Sequence, residues 1–146
     1  YELIELETFK LATSYIRQAK ARIEDARRAY KGNNYPYALR LSQEAIELCL
    51  KASLRLVGIE YPKVHDVSNV LLRYMDRFPK WFREKAEFLA ESSRKLVMKR
   101  ELSFYGEGVA TYARGIGAKE DALRRAISIL ELCSKLLDEY KEKLGL

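Results

Sequence analysis

The sequence predicts an all-α protein, an antiparallel, up-and-down bundle of four or five helices, and three observations carry that expectation. Apolar residues recur at steps of three and four along every long segment. No stretch alternates as a half-buried strand would. The breaks between segments are built from glycine, proline and asparagine. The 146 residues read as one domain, 1–146, long enough to bury a single sizeable core, and a 48% hydrophobic content argues against disorder.

Taken in order, the first element runs from Glu5 to Tyr30, where Phe9, Ala12, Ile16, Ala19, Ile23, Ala26 and Tyr30 form one core-facing stripe. Gly32 and Asn33 stop it, because both tolerate the left-handed backbone that closes a helix. Pro36 suits the first turn of the next helix, where its missing N–H costs nothing, and the short connection predicts an antiparallel hairpin. That second helix carries two apolar faces. Ala38, Leu41, Ala45, Leu48, Cys49, Ala52 and Leu56 make one, and Leu39, Ile46, Leu50 and Val57 the other, which places it centrally. Between them lies a single charged line of Arg40, Glu44, Glu47, Lys51 and Arg55.

Gly58 ends the second helix, and Ile59 to His65 form a connection stiffened by Pro62. Asp66 is the expected N-cap of a shorter helix bearing Val67, Val70, Leu71 and Tyr74. Phe78-Pro79 breaks the pattern and is expected to separate that helix from the next, which runs from about Lys80 to Leu102 with Trp81, Phe82, Phe88, Leu89, Leu96 and Val97 as its apolar positions. Ser103 to Gly117 reads as irregular and holds Gly106, Gly108, Gly115 and Gly117 among Phe104, Tyr105 and Tyr112. The last helix, from about Ala118 to Lys143, opens on Glu120 and Asp121, which complement its dipole. It carries Ala122, Ala126, Leu130, Cys133, Leu137, Tyr140 and Leu144 on one face.

Cys49 and Cys133 each fall on the apolar stripe of a long helix, a position for buried reduced thiols; a bridge between them requires their helices to be direct neighbours. With one histidine and no Cys-x-x-Cys pair, no ligand set for a zinc or di-iron centre is visible, and no cofactor is expected. No apolar run approaches the ~18–20 residues of a membrane span and no signal peptide is visible, so a cytoplasmic protein with no membrane partner is expected. A net charge of +6 leans toward polyanions, although 21 acidic residues are interspersed with the 27 basic ones. Few Asn and Gln beside abundant Lys, Arg and Glu give a thermophile-like composition.

Three places in the chain hold chemistry. Glu44, Glu47 and Lys51 lie on one helical line, as an acid–base or cation-binding constellation or, more simply, as a structural network. Arg83, Arg94, Lys95, Lys99 and Arg100, extended by Arg114, Lys119, Arg124 and Arg125, offer a basic surface, with Tyr105 and Tyr112 able to stack on bases. The glycine pairs could turn backbone N–H groups toward phosphate, but no strand precedes them, so they match neither a P-loop nor a dinucleotide fingerprint.

The central stretch Ser42-Gln43-Glu44-Ala45-x-Glu47-x-x-x-Lys51-Ala52 resembles the Gln-(Gln/Glu)-Ala-x-Glu-x-x-x-Lys-Ala signature of HEPN domains, a name that abbreviates higher eukaryotes and prokaryotes nucleotide-binding. Tyr61-Pro62-Lys63-Val64-His65-Asp66-Val67 is similar to the loop that follows that signature. Arg100-Glu101-Leu102-Ser103-Phe104-Tyr105-Gly106 is similar to the segment before the family's last helix, and Glu120-Asp121-Ala122 to that helix's opening. Together these cover nearly the whole chain in the right order. The resemblance implies a helical bundle that dimerises, found as stand-alone prokaryotic proteins, as partners of minimal nucleotidyltransferases, in toxin–antitoxin-like settings, and as metal-independent RNases.

The RNases of that family carry an Arg followed after four to six residues by His. Here the sole histidine is His65, and Gly58, Ile59 and Glu60 occupy the positions such an Arg would take. The resemblance therefore implies a member without the RNase dyad, a nucleotide- or RNA-binding module or a nucleotidyltransferase partner. The alternatives are a divergent RNase and a purely structural interaction protein. In the RNase, His65 would take the 2′-OH proton, and Arg94, Arg100 or Arg114 would stabilise the phosphorane. The ligand-binding candidates are Glu44, Glu47, Lys51, His65, Arg94, Arg100, Tyr105 and Arg114. Apolar residues on several faces between Tyr74 and Phe88, Phe78 and Phe82 among them, further predict a two-fold homodimer through the second helix or the Phe78–Phe88 region.

Overall fold

A computed structural model describes the backbone of residues 2–60, 67–103 and 118–146, and the side chains of residues 5–60, 67–95 and 121–146. The described residues form six α-helices and no strand: α1 (Glu2–Lys31), α2 (Tyr35–Leu56), α3 (Ser68–Arg73), α4 (Lys80–Arg83), α5 (Ala86–Ser103) and α6 (Ala118–Lys143), with a 3-10 turn at Met75–Arg77. The expected all-α bundle is present, and its long members are α1, α2, α5 and α6.

α1 and α2 pack along their length as the expected hairpin, and α6 lies against both. Small residues sit at seven-residue spacing on each partner, Ala12, Ala19 and Ala26 on α1 and Ala38, Ala45 and Ala52 on α2, all buried. Small buried side chains at that period let two helix axes approach toward the short end of the usual ~8–10 Å. α2 is the central element. Its apolar faces meet α1, α6 and α5, and more than half of its 22 residues are buried. The buried hydroxyls of Ser42 and Ser53 donate to the carbonyls four residues earlier, Ala38 at 2.8 Å and Cys49 at 3.0 Å, so neither is left without an acceptor in the core.

Three helices end in the same way. Asn33, Gly58 and Gly145 adopt positive φ of 62°, 82° and 74°. After α1, the N–H of Asn34 reaches the Ala29 carbonyl and that of Asn33 the Tyr30 carbonyl. After α2, Ile59 reaches Leu54 and Gly58 reaches Arg55. After α6, Leu146 reaches Lys141 and Gly145 reaches Glu142. Each is the double bond of a Schellman cap. At Gly58 the cap also brings Ile59 back beside Leu54, both buried, which adds the apolar contact typical of the motif.

Two expectations are corrected. α3 begins at Ser68 with Val67 in the N-cap position and no side-chain cap, one residue later than an Asp66 cap would place it; Asp66 itself lies outside the described residues. The segment from Lys80 to Leu102 is not one helix. Pro79 does precede a helix start, but α4 closes after Arg83, where the Lys85 N–H bonds to the Phe82 carbonyl in a tight turn, and α5 starts at Ala86. No glycine or proline marks this second break. The turns on either side of it both face the core, with Phe82 before it and Leu89 and Ala90 after it buried.

A third correction concerns the rings expected at an interface. Phe78 and Phe82 are only 2% and 0% exposed, stacked on each other at 4.5 Å in the core. Trp81 packs edge-on to Phe82 at 5.7 Å, donates its Nε1–H to Glu139 at 2.9 Å and lies beneath the Lys135 ammonium at 4.2 Å. The apolar surplus between Tyr74 and Phe88 thus closes one side of the bundle against α6 instead of forming a free Phe78–Phe82 surface.

Candidate functional site

The charged line of α2 is a set of paired groups. Lys51 Nζ donates to one Glu47 oxygen at 2.8 Å and Gln43 Nε2 to the other at 3.2 Å. The Glu47 and Lys51 side chains are 13% and 16% exposed, so this ion pair is more shielded than a surface pair. One turn earlier, Glu44 sits between Arg40 of its own helix at 3.6 Å and Arg22 of α1 at 3.4 Å. Glu44 and Glu47 therefore each face their own donors, the geometry of a network that stiffens α2 and ties it to α1. Arg22 was not among the sequence-derived candidates. It stands directly before the buried Ile23, at the edge of the α1 stripe, which is where a cross-helix partner for α2 has to lie.

A second polar cluster joins α5 to α6. Asp121 accepts from Lys95 at 3.1 Å and from Arg125 Nε at 3.1 Å. Arg125 also donates to Ser92 at 2.9 Å, approaches Glu91 at 3.4 Å and lies over the Phe88 ring at 5.5 Å. Partial burial pushes the Asp121 carboxyl up, but the hydrogen bond from Lys95 and the charges of Arg125 and Lys95 outweigh it, and the net shift is downward. Lys95 and Arg125, counted from sequence toward a basic patch, are thus committed to a carboxylate within the protein. Arg94 is exposed and donates from Nε to the Ser68 hydroxyl of α3 at 3.1 Å, a link between α5 and α3 that no sequence pattern announced.

Of the candidates, then, Glu44, Glu47 and Lys51 share one face of α2, and Arg94 stands on α5 against α3. Arg100 is described only as a backbone position in α5. His65, Tyr105 and Arg114, like the whole glycine-rich stretch 104–117, lie outside the described residues.

In this fold the motif positions coincide with structure. The alanines of the central stretch, Ala45 and Ala52, are fully buried, and its polar residues Gln43, Glu47 and Lys51 bond to one another. A family model described as the HEPN domain matches residues 12–142. The chain belongs to the HEPN family. No curated protein and no solved structure matches it.

For this HEPN domain the signature helix is also the central helix. Its small residues admit the neighbouring helices, and its polar residues form the shielded Gln43–Glu47–Lys51 chain. No helix among the described residues is long and apolar enough to cross a membrane.

Proposed function

We propose that this HEPN domain is a non-catalytic module that binds a nucleotide or RNA, acting alone or beside a separately encoded minimal nucleotidyltransferase. What carries the reading is the family match over residues 12–142 in a chain whose one histidine, His65, has Gly58, Ile59 and Glu60 where the family's RNases place arginine. The net charge of +6 suits an anionic ligand. Pure protein incubated at low salt with radiolabelled nucleotides and with structured RNA is expected to retain label; retention of neither overturns the reading. RNA cleavage that survives chelator and disappears in His65→Ala would replace it with the divergent RNase, in which His65 and Arg100 do chemistry.

The domain is further proposed to work as a two-fold homodimer. Support comes from the family resemblance and no longer from the Phe78 and Phe82 rings, which belong to the core. Sedimentation equilibrium at micromolar concentration is expected to return twice the chain mass; one chain mass would remove the proposal.

A further inference from the structure

One end of the bundle holds a concave site whose described lining includes none of Glu44, Glu47, Lys51 and Arg94. There the first turns of α1, the end of α2, the 3-10 turn and the end of α6 meet around a cavity of about 630 Å³. Its apolar wall includes Phe9 and Leu56, Tyr140 stands at its side, and three cations, Arg55, Arg77 and Lys143, face one carboxylate, Glu5. A second cavity of about 600 Å³ shares Arg77, Tyr140 and Lys143 and runs on past Pro79, with Glu139 and Glu142 in its wall. The size is that of a small-molecule site, and the mixture of apolar wall and few polar groups is the usual composition of one.

Two of these cations, Arg77 and Lys143, make only a carbonyl or ring contact among the described residues. Arg77 donates from one guanidinium nitrogen to the Val57 carbonyl at 3.3 Å and lies over the Tyr74 ring at 5.1 Å. Lys143 lies over the Tyr140 ring at 5.4 Å. Neither pairs with a carboxylate among the described residues. Arg55 approaches Glu60 at 3.5 Å. Cations near helix C-termini offset the negative end of the dipole, and that is part of their role. It does not account for the cavity, nor for the apolar wall opposite them. The last carbonyls of α2 and α6 are moreover engaged by the caps at Gly58 and Gly145, which reduces the repulsion an anion would meet there. Burial raises the Tyr140 phenol above its ordinary value, so it stays a neutral O–H donor at physiological pH.

We propose that this end groove binds a phosphate ester of a flat ring. The phosphate sits on Arg77 and Lys143 and the ring lies against Phe9, Leu56 and Tyr140, so that the groove seats the nucleotide of the preceding section, on which this inference rests. Arginine matches phosphate with paired N–H donors and lysine adds a mobile charge, while an aromatic wall accepts any base without choosing among them.

Titration calorimetry of the full chain with AMP, phenyl phosphate and inorganic phosphate tests this. Both ring-bearing ligands are expected to bind more tightly than inorganic phosphate. Lys143→Gln and Arg77→Gln are each expected to weaken them by about tenfold, the loss of one charge-assisted contact. Arg27→Gln removes the same charge about 27 Å further along α1 from Phe9 and should leave binding unchanged. Lys143 is exposed, so its variant keeps the test valid even if Arg77→Gln loosens the turn that Arg77 ties to Val57. AMP bound equally by all variants would overturn the groove while leaving nucleotide binding intact. Phenyl phosphate bound through Arg77 and Lys143 with AMP excluded would keep the groove and overturn nucleotide binding. No binding of either ester would overturn the groove.

Discussion

Cys49 and Cys133 stand side by side in the core with Ser53, whose hydroxyl reaches the Cys133 sulfur at 3.0 Å, and both are free thiols. The hydrogen bond with Cys133 and burial together hold the Cys49 thiol well above its ordinary pKa. A group whose folded pKa is raised contributes stability in full below its unfolded pKa, about 8.5 for cysteine, and loses it as pH climbs through the folded value. The denaturation midpoint is therefore expected to fall above about pH 8.5, and to fall less steeply in Cys49→Ala. A disulfide-exchange reagent at neutral pH is expected to label either thiol only as fast as the core opens; prompt stoichiometric labelling would contradict this burial. Phe82 supplies the complementary case. Phe82→Ala is expected to cost about 3–5 kcal/mol in equilibrium unfolding, the penalty of an emptied core site. A variant of unchanged stability that merely sediments differently would return the ring to an interface.

At the scale of the helix, termination is where local chemistry decides most. Gly58 holds φ at 82° and a Cβ there would meet nothing within 4 Å, so Gly58→Ala isolates the conformational penalty from any clash. The expected loss is about 1–2 kcal/mol, the cost of a left-handed alanine, read as a lower melting temperature with the helical signal intact. The stops at Asn33 and Gly58 were legible in the sequence because glycine and asparagine state their backbone preference locally. The stripes of α1 and α2 were legible for a similar reason, since periodicity is a property of one helix alone. On α6 the buried line runs through Ala122, Ala126, Ile129, Cys133 and Leu136, and the expected Leu130 and Leu137 are only partly buried. What needs a neighbour was not legible. The break at Glu84–Lys85 has no glycine or proline to announce it. Arg22 finding Glu44, Arg94 finding Ser68 and Lys95 finding Asp121 all depend on the register between helices. Apolar surplus between Tyr74 and Phe88 was visible, but a sequence cannot say whether such rings meet their own chain or a second one.

At the scale of the whole molecule, a signature helix packed on two faces is held by small residues inside and by a shielded Gln43–Glu47–Lys51 chain outside. This arrangement explains why the HEPN motif mixes alanines with charges. Much of the candidate site read from sequence serves cohesion here: Glu44 and Glu47 are matched to cations, and Lys95 and Arg125 to Asp121. The end groove shows the reverse, cations facing a cavity with few acidic partners, and no motif pointed there because Phe9, Arg77 and Lys143 are far apart in the chain. The central claim, a HEPN domain that binds nucleotide or RNA without cutting it, is tested most directly by one gel-shift titration. End-labelled structured RNA and labelled nucleotide are mixed with the full chain at low salt in the presence of chelator, and the label is then resolved under denaturing conditions. We expect a saturable shift of at least one ligand, with the RNA recovered at full length. No shift of either ligand, or shortened RNA that His65→Ala restores to full length, would contradict the account.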